Sequence, residues 1–129
     1  MSFFNRNIEG GYSDDAEPNW YWNYLEDVAE LDEIEKASYH IPVLIFKHST
    51  RCMISRMALK QFENDFDLNN FIKPYLLDLL QHRDVSNAIA ARFGIFHQSP
   101  QIILIKDGKA IFDTSHEQIN AHDLKSLVV

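Results

Sequence analysis

The order of the predicted elements indicates an α/β fold, in which a central mixed β-sheet carries helices on both faces. An apolar run at 41–46, an amphipathic helical pattern at 52–65 and a second strand pattern at 71–81 follow one another. This β-α-β order predicts parallel strands joined by a right-handed crossover. Two further strand patterns within 100–115 flank Asp107-Gly108, the dipeptide that type I′ hairpin turns favour. Because a hairpin is antiparallel, the predicted sheet is mixed.

Helical periodicity assigns two elements of the first half of the chain. In the helix at 52–65, apolar residues recur every four positions, which predicts an inward face made of Ile54, Ala58 and Phe62. An earlier helix is predicted at 27–38, with Asp27 as its N-cap. Its acidic residues lie near its start, which suits the helix dipole.

Three more elements complete the predicted fold. A helix at 84–94 is predicted to begin with Asp84 as its cap and to end at Gly94. A final helix is predicted to start near Asn120, another capping residue. The aromatic stretch "WYWNYL" at 20–25 is interpreted as a short edge strand or as an anchor in the core.

Length and composition predict one domain. The chain has 129 residues, of which 46% are hydrophobic, and this is enough for a single core. Residues 20–129 are assigned to that domain. Residues 1–19 are polar and contain Gly10-Gly11 and Pro18, so they are predicted to form a flexible N-terminal arm.

Charge and hydropathy argue against several classes of partner. The chain has 12 basic and 19 acidic residues and a net charge of −7, so it lacks the surplus of Lys and Arg that nonspecific nucleic-acid binding uses. No stretch approaches the roughly 20 apolar residues of a membrane span, and the first residues lack a signal-peptide core. We therefore expect a cytoplasmic protein, in a compartment where thiols are kept reduced, with no nucleic-acid or membrane partner.

The stretch "FKHSTRCMIS" contains Cys52, the only cysteine of the chain, between the strand at 41–46 and the helix at 52–65. The first backbone N–H groups of a helix have no intrahelical partner and favour an anion, so a cysteine at this place is predicted to be a reactive thiolate. Ser55 lies one turn further on and is predicted to donate a hydrogen bond to the sulfur. Four basic or titratable residues are expected to add positive potential: Lys47, His48, Arg51 and Arg56. The competing interpretation is a buried, inert cysteine.

A second feature is Ser99-Pro100, which stands immediately before the strand pattern of the hairpin. Nearly all cis peptide bonds precede proline, and a cis-proline at the entrance of a site is usually functional. Taken alone, Pro100 is better explained as an ordinary loop proline that starts a strand.

Together, Cys52 and Ser99-Pro100 in this β/α order resemble a thioredoxin fold, in which a nucleophilic cysteine at a helix N-terminus faces a cis-proline loop. "CMIS" then corresponds to the dithiol C-x-x-C, with Ser55 in place of the resolving cysteine. The segments "PVLIFKHSTRCMIS" and "VSNAIAARFGIFHQSPQIILIKDGKAIF" resemble the YtxJ family, the monothiol bacilliredoxins of the bacillithiol system. The resemblance covers about residues 20 to 127. The chain departs from the family pattern at two positions, Arg51 and Met53, where the family usually has Thr and Pro.

The resemblance implies a monothiol thiol–disulfide oxidoreductase that removes a low-molecular-weight thiol, bacillithiol, from S-thiolated proteins. It implies Cys52 as nucleophile and Ser55 as the second residue of a catalytic pair. The implied substrate-binding residues are Lys47, His48, Thr50, Arg51, Ser99 and Pro100. No cofactor beyond the small thiol as co-substrate is implied, and no metal, since the six histidines show no tight ligand spacing beside the single thiol.

Three other functions stay open at this point. His48, Cys52 and Arg56 also spell H-x-x-x-C-x-x-x-R, as in the glutaredoxin-linked arsenate reductases, although the Arg-Pro segment of that family is missing. Some monothiol proteins of the fold hold an iron–sulfur cluster between two subunits. The fold also serves as a scaffold for noncatalytic binding modules.

Overall fold

The computed structural model describes residues 19–129, and the predicted flexible arm at 1–19 lies, apart from its last residue, outside the described residues. Five strands form one sheet in the order β1-β3-β2-β4-β5. The strands are β1 (Asn23–Tyr24), β2 (Val43–His48), β3 (Lys73–Asp78), β4 (Gln101–Lys106) and β5 (Lys109–Ser115). The helices are α1 (Glu30–Ala37), α2 (Met53–Asp65), α3 (Arg83–Phe93) and α4 (Lys125–Val128), and two 3₁₀ turns, His116–Gln118 and Ala121–Leu124, precede α4.

The sheet is mixed, as the sequence predicts. Strand β3 pairs in parallel with β1 and β2, whereas β4 is antiparallel to both β2 and β5. The β4–β5 hairpin turns at Asp107 and Gly108, with φ values of 52° and 77°. These are the two positive values that a type I′ turn requires, so the Asp-Gly prediction is confirmed.

Two apolar layers cover the two faces of the sheet, because every side chain of β2 is buried and its residues alternate between them. One layer joins Leu44 and Phe46 to apolar residues of α2 and of the C-terminal segment. The other joins Val43 and Ile45 to apolar residues of α1 and α3. The prediction of helices on both faces of a central sheet is therefore confirmed.

The aromatic stretch at 20–25 combines its two predicted interpretations. Asn23 and Tyr24 form the edge strand β1. Trp20 and Trp22 meet at a centroid distance of 5.0 Å and pack against the layer of α2. Trp22 also stacks on Phe62, with the ring centroids 5.8 Å apart.

Two predicted N-caps are wrong. Helix α1 begins at Glu30 and not near Asp27, whose carboxylate instead accepts the N–H of Ala29 in a local turn (2.9 Å). Helix α3 has His82 at its N-cap position, and Asp84 lies inside its first turn. The end of α3 is as predicted, because Gly94 adopts the left-handed conformation that terminates helices.

The inward face of α2 is shifted from the predicted one. Ser55 and Phe62 are its buried residues, whereas Ile54 is 49% exposed. The C-terminal segment starts as predicted, with the Asn120 side chain accepting the N–H of His122, and Leu124 is buried. None of the helices within residues 19–129 has the length and apolar character that a membrane span requires.

Candidate active site around Cys52

Cys52 occupies the N-cap position of α2, at the end of a short turn that leaves β2. Its backbone is extended (φ −105°, ψ 122°), and its carbonyl accepts the N–H of Arg56 at 3.0 Å as the first turn of the helix forms. Its N–H donates to the Ser49 carbonyl at 3.2 Å and closes the turn. The side chain is half-buried, is a free thiol and makes no capping hydrogen bond. The sulfur therefore lies at the end of a helix dipole that favours an anion, as predicted from its position.

Ser55 stabilises the turn that precedes Cys52 through two hydrogen bonds. It is fully buried, and its Oγ lies 2.7 Å from Nδ1 of His48 and accepts the N–H of Ser49 at 3.0 Å. Burial is the main cause that lowers the pKa of His48; Arg56 adds to the effect and Asp78 opposes it. Because its pKa lies below the usual value, His48 is mostly neutral at neutral pH, and the tautomer of its ring decides which of the two groups donates in this bond. Ser55 is thus bonded to His48 and Ser49, and the structure records no hydrogen bond from its hydroxyl to the Cys52 sulfur, where the sequence predicted one.

Lys47 points away from the surface, into the layer between the sheet and α3. The residue is fully buried, and its Nζ lies 2.8 Å from Nδ1 of His97, which is also 3.2 Å from Oγ of Ser86. Burial lowers the pKa of Lys47 to about 8, so the ammonium form prevails at neutral pH and donates to the imidazole. The sequence predicted a substrate-binding role for Lys47, and in the structure the residue has no exposed surface.

The loop that precedes β4 carries Ser99 and Pro100, and the peptide bond between them is cis. Gln101, which is buried, holds the loop: its Nε2 donates to the Phe96 carbonyl at 3.0 Å and its Oε1 accepts the N–H of Gln98 at 3.2 Å. The hydroxyl of Ser99 is buried and has no hydrogen-bond partner within residues 19–129.

The Ser99–Pro100 loop and the turn of Cys52 lie at the same end of the strands of the sheet. The first residue of β4, Gln101, is paired with Lys47 near the end of the antiparallel strand β2. The bond from Lys47 to His97 ties the two segments together. The turn of Cys52 and the Ser99–Pro100 loop therefore lie at the same end of two neighbouring strands.

The remaining predicted residues line the surface of the turn. Thr50 and Arg51 are exposed. The Arg56 guanidinium, which the arsenate-reductase hypothesis invokes, donates to the Thr50 carbonyl at 3.1 Å. Two large apolar side chains are also exposed, Met53 at 62% in the first turn of α2 and Phe96 at 90% in the loop before Ser99.

No cluster of three or more His, Cys, Asp or Glu residues able to hold an ion is present within residues 19–129.

Three polar residues of the site have roles that the sequence did not indicate: the buried Ser86 and Gln101, and the exposed His97. The structure pairs His97 with Lys47 and Ser86. One available indication was the place of Lys47 at the end of an apolar strand, where both faces are buried and a polar head needs a partner.

A protein family and several solved structures are similar to this chain. A family model described as monothiol bacilliredoxin BrxC matches residues 23–124. A solved structure described as a candidate oxidoreductase with a thioredoxin fold is 28% identical, with a TM-score of 0.69, over 80% of this chain and 89% of that one.

Two thioredoxins share the fold at lower identity. Mitochondrial thioredoxin 3 of Saccharomyces cerevisiae, in its oxidised form, is 16% identical with a TM-score of 0.64, over 83% of this chain and 92% of its own. The Malassezia sympodialis thioredoxin is 17% identical with a TM-score of 0.65, over 86% of this chain and 90% of its own. The predicted thioredoxin-like fold is confirmed.

Proposed function

The chain belongs to the monothiol bacilliredoxin family, BrxC, and from this premise we propose that it uses Cys52 to remove bacillithiol from S-thiolated proteins. Membership of this family and the thioredoxin fold support a role in thiol redox chemistry. The proposal adds the nucleophile, the small thiol and the class of protein substrate. It also retains the cytoplasmic location predicted from the sequence, where a lone thiol stays reduced.

One observation carries the proposal: the single thiol is unengaged at the N-cap of a 13-residue helix, beside the loop of Ser99 and Pro100. The thiolate is the nucleophile in disulfide exchange, and a helix N-terminus favours it. Because Ser55 replaces a second cysteine, an adduct formed on Cys52 has no neighbouring thiol to resolve it. This arrangement favours exchange with small-thiol adducts over the dithiol reduction of protein disulfides.

The proposed reaction is two successive exchanges. The Cys52 thiolate attacks the bacillithiol sulfur of the mixed disulfide, a new disulfide forms between them, and the protein leaves as a thiolate that takes a proton from water. A second small thiol, as its thiolate, then attacks the bacillithiol sulfur on Cys52. This step releases the Cys52 thiolate and a disulfide of the two small thiols. Over the two steps the protein sulfur is reduced and the sulfur of the incoming thiol is oxidised, while the bacillithiol sulfur stays in a disulfide from start to end.

The other site residues fit supporting roles. The exposed Thr50 and Arg51 lie in the turn that leads to Cys52, where a substrate chain would approach the sulfur. Ser99 and Pro100 would act through the shape of their loop, since the Ser99 hydroxyl is buried. Lys47 acts indirectly, by holding the loop through His97.

The test is intact-mass analysis after the reduced protein is mixed with a bacillithiolated test protein. The expected result is one bacillithiol on Cys52 and a freed test protein, with neither in Cys52→Ser. The fold of Cys52→Ser should be unchanged, because the thiol makes no hydrogen bond that the structure records. Turnover by Cys52→Ser would refute the mechanism. The absence of an adduct on wild type, together with slow alkylation by iodoacetamide at neutral pH, would indicate an inert thiol.

A further inference from the structure

A cavity of about 270 Å³ lies at the carboxyl ends of β1, β3 and β2, beside the turn that leads to Cys52. Its wall includes His48 and Thr50. Thr50 precedes Cys52 by two residues, and two residues of chain span at most about 7 Å, so the cavity adjoins the reactive thiol. In open α/β sheets the crevice outside the carboxyl ends of the strands is the common place for ligands.

The cavity is lined by both apolar and polar side chains. The hydrogen-bonding side chains come from three separate segments of the chain: Glu26, His48, Thr50, Asp78, Gln81 and His82. Tyr24, Leu25 and Leu76 supply the apolar part. The Asp78 carboxylate is fixed at the wall, because its Oδ1 accepts the N–H of Leu80 at 3.1 Å.

The charges of the wall select the chemistry of a ligand. Glu26 and Asp78 are carboxylates, and none of the residues that line the cavity is Lys or Arg. His48 is neutral at neutral pH because burial lowers its pKa. Such a wall accepts hydrogen bonds from hydroxyl and amine groups and repels phosphates and carboxylates.

We propose that this cavity binds the hydroxyl- and amine-bearing part of the low-molecular-weight thiol while its sulfur reacts at Cys52. The inference rests on the proposed function and deepens it. A monothiol site meets the small thiol at both exchange steps, so recognition of the non-sulfur part sets which thiol is accepted. The volume lies just below the range of drug-sized sites, and therefore suits one portion of such a molecule.

The experiment compares wild type with Gln81→Trp, which fills the cavity from an exposed position. The matched control is Gln118→Trp, at an exposed residue outside the cavity. Two forms of one test protein are used, one carrying bacillithiol and one carrying 2-mercaptoethanol, whose tail is too short to fill the cavity. The second-order rate of release is measured for each.

Gln81→Trp should lower the rate with bacillithiol about fivefold or more, the factor expected for the loss of one hydrogen bond. The rate with 2-mercaptoethanol should stay at the wild-type value, and Gln118→Trp should change neither rate. Equal rates for wild type and Gln81→Trp, or an equal fall with both adducts, would overturn the cavity as the recognition site. In both cases wild type still exchanges, so the proposed function survives. A wild type that exchanges with neither adduct would refute the proposed function itself.

A second arm tests the charge of the wall. Wild type should release coenzyme A, which carries phosphates, more slowly than bacillithiol, and Glu26→Lys should narrow this difference. Glu26 is exposed, and the structure records hydrogen bonds for its backbone N–H but none for its carboxylate, so the substitution leaves the fold intact. If Glu26→Lys released coenzyme A and bacillithiol with the same ratio of rates as wild type, the proposed preference of the cavity for hydroxyl and amine groups over phosphates would be contradicted.

Discussion

Replacement of Lys47 by Met should separate the stability of the protein from its activity. The Lys47 ammonium is fully buried and is held by the imidazole of His97 at 2.8 Å. Met has a similar length and no charge, so it fills the same volume without the cost of burying an ion. His97 keeps Ser86 as a partner at 3.2 Å, so its Nδ1 is not left unpaired.

The magnitude follows from the pKa of Lys47, which burial lowers from 10.5 to about 8. Between these two pH values the unfolded chain holds a proton that the folded protein has released. The free energy of unfolding therefore rises as the pH increases through this window. The drop in pKa corresponds to a rise of up to about 3 kcal/mol, at 1.36 kcal/mol for each pKa unit.

The assay is urea unfolding at several pH values from 7 to about 10.5. Wild type should gain stability across the window more steeply than Lys47→Met, and at pH 7 the variant should be at least as stable as wild type. The control is Met at the exposed Lys106, which should keep the wild-type slope. Release of bacillithiol should slow in Lys47→Met, because the bond that holds the loop of Ser99 is lost. An identical slope in wild type and Lys47→Met, or a variant several kcal/mol less stable at pH 7, would refute the reasoning.

Further predictions concern the buried hydroxyl and the hairpin turn. Ser55→Ala should lower the free energy of unfolding by about 1–3 kcal/mol in urea titrations, because a buried backbone N–H and the His48 ring lose their partner. Acidification below pH 6.5 should destabilise wild type more than His48→Gln, because burial lowers the pKa of His48 and the unfolded chain then binds more protons; equal acid sensitivity would contradict this. Gly108→Ala should cost about 1–2 kcal/mol for its positive φ plus the clash of a Cβ placed 2.5 Å from the Tyr39 hydroxyl. Gly94→Ala, with a positive φ and open space, is its control and should cost less in thermal unfolding.

The fold was predictable where one local pattern has a single structural solution. The apolar run of β2 and the Asp107-Gly108 turn each specify their element. The start of α1 was not predictable in this way, because several acids compete for the N-terminus. The carboxylate of Glu30 accepts the N–H groups of Glu26 and Asp27, at 2.9 and 3.0 Å, and Glu30 itself is the first residue of the regular helix.

The inward face of α2 escaped prediction because its first buried residue is polar. Ser55, Leu59 and Phe62 lie on the face that turns to the sheet, and their spacing of four and three residues is helical. A search for apolar residues starts the stripe at Ile54 instead, one position too early. The burial of Lys47 was missed for the same reason. Its charge suggests a surface residue, whereas the sheet buries it completely.

The serine that replaces a second cysteine therefore does more than remove a thiol. Its oxygen accepts the N–H of Ser49 and is hydrogen-bonded to Nδ1 of His48, so two neighbouring residues of the turn before Cys52 depend on one buried hydroxyl. A thiol at position 55 is a weaker acceptor and donor than a hydroxyl and would hold this turn less well. Ser55 thus accounts both for the absence of a second thiol at this position and for the turn that presents Cys52. Because Ser55 has a structural role, no second cysteine stands near Cys52. A small thiol is therefore needed to release Cys52 from its adduct.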